Sequence, residues 1–103
     1  MKTKMVLCKL RHKHPVIDEL ESIFPVEIDP FDFMSMAQTV SEKLAYVEEL
    51  ELYVTGLTPA LASVLNYCTL HAIPCALWHF NKLTDTYVRQ VCITDVLSLS
   101  EAK

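Results

Sequence analysis

The segment Leu50-Glu51-Leu52-Tyr53-Val54-Thr55-Gly56-Leu57-Thr58-Pro59 passes from strand to loop to helix within ten residues. Its first half is rich in residues that fit a strand, and it stops at the only glycine of the chain. Thr58 and Pro59 then open a helix as N-cap and first-turn proline. Leu61, Val64, Leu65 and Cys68 recur at helical spacing as its inward stripe, to about His71. Downstream, residues 74–80 are apolar almost throughout and read as a fourth strand covered on both faces, with Trp78 and His79 pointing to opposite sides. Residues 81–86 form a turn, and residues 87–93 a fifth strand.

Working upstream, residues 4–10 form a short apolar run, the first strand. Pro15 suits the first turn of a helix, and Ile17, Leu20, Ile23 and Phe24 give that helix an apolar face until Pro25 stops it. Val26-Glu27-Ile28-Asp29 alternates as a second strand, bounded by Pro30. The segment 31–38, with Phe31, Phe33, Met34 and Met36, reads as irregular cover for one edge of the core. Thr39 and Glu42 match a capping box, and Val40, Leu44 and Val47 continue it as a short helix. The order βαβαβαββ predicts an α/β domain: a small doubly wound sheet, mostly parallel, with helices on both faces. The strand order expected is 2-1-3-4-5, with the fifth strand antiparallel, in a single domain spanning 1–103.

The composition fits one core. Of 103 residues, 51% are hydrophobic and 21% charged, and glycine and proline together are few, which excludes disorder and low-complexity architecture. No apolar run has the roughly 20 residues of a membrane span, and Met5-Val6-Leu7-Cys8 is too short for a signal-peptide core. A soluble, cytoplasmic protein is expected. The cysteines at 8, 68, 75 and 92 show no C-x-x-C pair and read as buried free thiols. Neither a metal nor another cofactor is expected.

Charge is segregated. Lys2, Lys4, Lys9, Arg11 and Lys13 fall within the first fourteen residues with no acid among them, while the whole chain carries −4. An acidic body with one basic end repels a long polyanion, so long nucleic acid is not an expected partner. A small anion at one spot is. In a doubly wound sheet the ligand crevice lies at the carboxyl ends of the strands where the order reverses, here between the first and third. Two loops meet there. The first, residues 9–15, brings Lys9, Arg11 and Lys13, with His12 and His14 able to bind phosphate or exchange a proton. The second brings Thr55, Gly56, Leu57 and Thr58 and a helix N-terminus, whose N–H groups favour an anion.

The unit Thr55-Gly56-Leu57-Thr58-Pro59-Ala60-Leu61, taken with His14-Pro15 after the first strand, resembles the CARF superfamily of Rossmann-like domains. It is more closely similar to the small stand-alone CRISPR-associated proteins of CARF-like type. The chain departs from that superfamily's Thr-Gly-Gly-Thr-Lys loop at Leu57 and Pro59. The resemblance implies a homodimer or higher homo-oligomer that binds a cyclic oligoadenylate second messenger, most fittingly the tetra-adenylate, in type III CRISPR antiviral signalling. It also implies an alternative, a metal-independent ring nuclease. There a ribose 2′-OH would attack the adjacent phosphorus while His12 or His14 protonates the departing 5′-oxygen, and Arg11 and Lys13 would stabilise the charge. A reading without nucleotide is a small protein-interaction module using the apolar residues of 31–36.

Overall fold

The computed structural model describes residues 2–12, 14 and 16–93. Five strands, β1 (Lys2–Cys8), β2 (Glu21–Phe24), β3 (Glu49–Tyr53), β4 (Cys75–Asn81) and β5 (Thr86–Ile93), form one sheet in the order β2-β1-β3-β4-β5. The first four are parallel and β5 runs antiparallel beside β4, the order and directions expected from the sequence. Two helices, α1 (Phe33–Lys43) and α2 (Thr58–Leu70), connect β2 to β3 and β3 to β4.

The third expected helix is not there. Residues 17–20 form a turn that starts with Ile17 and Asp18 N–H groups donating to the His14 carbonyl at 3.0 Å, and Glu21–Phe24 then pairs with β1 as the edge strand. Spacing misleads here. Ile17 and Ile23 are both buried, but Ile23 joins the main core while Ile17 lies outside it. Residues 26–29, expected as the second strand, belong to none. Pro15, the expected helix start, and the segment from residue 94 lie outside the described residues.

The start of α1 also differs. Asp32 is its N-cap, accepting from the Ser35 N–H at 3.1 Å, so the helix takes in most of the segment read as irregular. Thr39, expected as a cap, lies inside it and donates its hydroxyl to the Ser35 carbonyl at 3.0 Å. Met36, Val40 and Leu44, four apart, face inward. In α2 the matching row is Ala60, Val64 and Cys68, each with no exposed surface. This helix ends on Ala72 at φ +53°, with Ile73 N–H donating to the Cys68 carbonyl and Ala72 N–H to the Thr69 carbonyl, a Schellman closure made without glycine.

Both helices pack on one face of the sheet and on each other, over Met5, Leu7, Leu50, Leu52, Cys75 and Leu77. Because side chains alternate along a strand, Glu51, Tyr53, Trp78, Tyr87 and Arg89 take the other face. The expectation of helices on both faces therefore fails, since the β1–β2 connection that would supply the second layer is a turn. On that open face the Glu51 carboxylate is held by both Arg89 Nε and Nη2 at 2.9 Å and by Trp78 Nε1 at 3.1 Å. The Trp78 ring stacks on Tyr53, with centroids 5.7 Å apart. Trp78 and His79 are thus half-buried rather than enclosed, and His79 Nε2 lies 2.8 Å from Gln90 Oε1.

Candidate functional site

The carboxyl ends of β1 and β3 are neighbours, and one threonine joins the loops that leave them. Thr55 Oγ1 accepts from the Cys8 N–H at 2.9 Å and donates to the Cys8 carbonyl. The next residue, Gly56, has φ +77°, and a Cβ placed on it would lie 2.9 Å from Cys8 Sγ. Glycine is thus required twice, for a left-handed backbone and for contact with Cys8. The sequence marks this position as special but does not show that the close neighbour is Cys8.

These loops wall a cleft of about 570 Å³. Lys9, Arg11 and His12 line one side, Gly56 and Leu57 another, and Val26, Glu27 and Ile28 close it. The chain turns into the cleft because the Lys9 N–H donates to the Phe24 carbonyl at 3.0 Å, tying the first loop to the end of β2. Cys8 forms part of the lining, and burial pushes its thiol up from the ordinary range, against a smaller opposing effect of the Leu57 backbone hydrogen bond. A protonated thiol is a poor nucleophile, so covalent chemistry at Cys8 is disfavoured.

At the mouth of α2, Leu57 is the N-cap residue in extended conformation, with no side chain capping the helix. Thr58 therefore does not play the capping role expected of it. Pro59 occupies the first turn as expected. Of the helix start only the N-cap Leu57 lines the cleft; Pro59 has no N–H and Ala60 is buried, so the Thr58 N–H and the positive dipole end are what α2 can offer an anion there.

The basic side chains are less free than the sequence implied. Arg11 Nη2 lies 2.6 Å from Glu27 Oε1, with both side chains mostly exposed. Glu27 is a site residue that sequence reading missed, because its segment was assigned to a strand. The prolines at 25 and 30 that bracket it were the available signal for a loop. Lys9 and Arg11 against Glu27 leave one net positive charge, with His12 adding another when protonated.

The two histidines are separated. His12 is exposed in the cleft, whereas His14 lines another depression, about 470 Å³ in volume, with Val16, Phe80 and Tyr87. Its ring meets those of Phe80 and Tyr87 edge-on, each 5.7 Å away, and Nε2 is 3.4 Å from the Tyr87 hydroxyl. Its backbone N–H donates to Asp18 Oδ2 at 2.9 Å, fixing the turn before β2. Lys13 lies outside the described residues. The structure thus brings together Lys9, Arg11, His12, Gly56 and Leu57, seats Thr55 behind them and leaves His14 on a different surface.

Cys8, Cys68 and Cys75 are buried as expected, but Cys92 is exposed on the edge strand. No helix among the described residues is long and apolar enough to cross a membrane. No family model, curated protein or solved structure matches the chain.

Proposed function

We propose that the chain binds a cyclic oligoadenylate, most fittingly the tetra-adenylate, between two copies of itself, as a binding protein of type III CRISPR antiviral defence. The reading is supported by one observation above the rest. The basic loop 9–12 and the α2 N-terminus without a side-chain cap open into the same cleft, at the carboxyl ends of the two central parallel strands. Backbone donors at a helix N-terminus and a neighbouring guanidinium are the groups that bind phosphate diester oxygens. The apolar side chains of Val26, Ile28 and Leu57 offer surface to a base. A ligand with two-fold symmetry suits a site repeated on two subunits.

Arg11 must exchange Glu27 for a phosphate in this reading. An exposed ion pair contributes only about 0–1 kcal/mol, so the exchange costs little. In the ring-nuclease alternative His12 would be the proton donor, since His14 lies on a different surface.

Native mass spectrometry with a panel of cyclic oligoadenylates, followed by chromatography of the released ligand, tests the proposal. The expected result is one intact ring for every two chains. Arg11→Ala with Lys13→Ala should weaken binding at least tenfold, or about 1.4 kcal/mol. Glu27→Gln should tighten it by removing the competing carboxylate. Absence of any bound ring, or affinity indifferent to all three substitutions, overturns it. A linear product would transfer the reading to the nuclease.

A further inference from the structure

The two edges of the sheet are built differently. β2 is four residues long, is followed directly by Pro25, and carries Glu21 in an ion pair with Lys43 Nζ at 3.1 Å. Short length, proline and charge are devices that keep an edge from pairing with another chain. β5 is neither short nor interrupted by proline, and its one charge, Arg89, is bound to Glu51 of its own sheet. It runs for eight residues without proline or lysine, and opposite residues 76–81 of β4 it is regular, the irregularity being confined to the Cys75/Ala76 end. Among the described residues nothing pairs with its outer side.

We infer that β5 is a self-docking edge: a second copy of this chain adds its own β5 antiparallel, continuing the sheet across a two-fold axis. Three features select a second copy as the occupant. The only charged side chain on β5, Arg89, is turned back onto its own sheet and held by both oxygens of Glu51, so two strands meet without an unpaired like charge. A charged partner segment would find no free counter-charge among residues 86–93 themselves. Val88 and Val91, 52% and 51% exposed, lie on opposite faces of the sheet, so on both faces an incoming β5 brings a valine of its own. A strand set antiparallel to itself about a two-fold axis presents the same backbone groups and the same side chains to its copy, which is the condition for an isologous interface.

This contact is independent of the ligand reading. The cleft sits at β1 and β3, and β4 separates it from the edge, so pairing through β5 leaves it open. If both interfaces exist, each chain has two different two-fold contacts, and ligand should drive assembly beyond the dimer.

The test is light scattering on the ligand-free chain at micromolar concentration. The expected mass is twice the 11.7 kDa of one chain. Val88→Lys with Val91→Lys should raise the dissociation constant at least tenfold with an unchanged circular-dichroism spectrum. Met34→Lys, on the exposed face of α1, should leave the mass unaltered. Hydrogen exchange on the unmodified chain guards against a misfolded variant: amides of residues 86–93 should exchange more slowly as concentration rises. A monomeric wild type overturns the inference, as does a dimer insensitive to the β5 lysines, loss of the dimer in Met34→Lys, or exchange in β5 that ignores concentration. None of these readouts involves a nucleotide, so failure here and failure of the ligand proposal are separable.

Discussion

Replacing Gly56 with alanine should destabilise the fold by an amount the local geometry sets. A left-handed backbone costs a non-glycine residue about 1–2 kcal/mol, and Gly56 sits at φ +77°. The new Cβ would also stand 2.9 Å from Cys8 Sγ and 3.0 Å from Cys8 Cβ, inside ordinary contact distance. Cys8 is buried, and its backbone is fixed by Thr55 on both sides, so it cannot retreat easily. Overpacking of this kind adds about 1–3 kcal/mol, which makes the expected total about 2–5 kcal/mol. Urea unfolding followed by circular dichroism measures it. Repeating the substitution in a Cys8→Ala background removes the sulfur contact, while the backbone angle and the 3.0 Å approach to the Cβ of residue 8 remain. The cost of Gly56→Ala should then fall by about 1 kcal/mol, a coupling expected only of residues in contact. A cost below about 0.5 kcal/mol in the parent, or an identical cost in both backgrounds, would refute the contact argument. Gly56→Val is unsuitable as a folded probe of ligand binding. Its branched Cβ would meet the same sulfur from the same strained backbone.

Three further outcomes are expected. Asp32→Ala should cost about 1 kcal/mol by thermal unfolding, because Asp32 caps α1, whereas Thr58→Ala should cost less than about 0.5, since Thr58 caps nothing. Ala72→Gly should stabilise the chain by about 1 kcal/mol by relieving the positive φ in the closure of α2, read by the urea midpoint at constant m-value. The hydrogen bonds from Arg89, aided by Trp78 and opposed by burial, hold the Glu51 carboxyl below its usual value. Its contribution to stability is therefore full above the unfolded-state pKa and is lost as pH falls from about 5 through the lower folded value. Unfolding midpoints measured down the acid range should show a steeper loss for the parent than for Glu51→Gln.

The sheet was legible because its central strands and the α2 crossover carry mutually consistent signals. β3 ends at Tyr53, shortly before the only glycine, α2 has a first-turn proline and a buried i, i+4 row, and β4 is mostly apolar. The region between β1 and β3 was not legible at the same level, and the reason is physical. Ile17, Leu20, Ile23 and Phe24 fit a 3.6-residue period, yet Ile23 and Phe24 are buried in the main core as part of a four-residue strand while Ile17 lies outside that core. A segment so short gives the two periods too few positions to differ. A helix over residues 17–24 displaces the strand to 26–29 and removes the first turns of α1. Asp32, followed three residues later by Ser35, carried no capping-box signal, while Thr39 and Glu42 carried one at a place where the helix was already under way.

The same displacement explains what was seen and missed in the site. The cleft was located from topology alone, because strand order fixes where loops 9–15 and 55–58 emerge, and that order survives an error in β2. Its third wall depends on the path of the chain after β2, so Val26, Glu27 and Ile28 came to light only with the fold. Glu27 changes the chemistry most. With Arg11 as a free cation, the loop reads as a ready phosphate grip; with the carboxylate 2.6 Å away, Lys9 and Arg11 keep only one net positive charge against Glu27. An anion that binds there must therefore bring enough negative charge to compete with Glu27 for the guanidinium. A polyphosphodiester ring can do so at several points at once, whereas a single carboxylate cannot. Affinity should accordingly fall steeply with salt for such a ring, and the dependence should grow when Glu27 is replaced by glutamine and Arg11 is freed to make a full ionic contact.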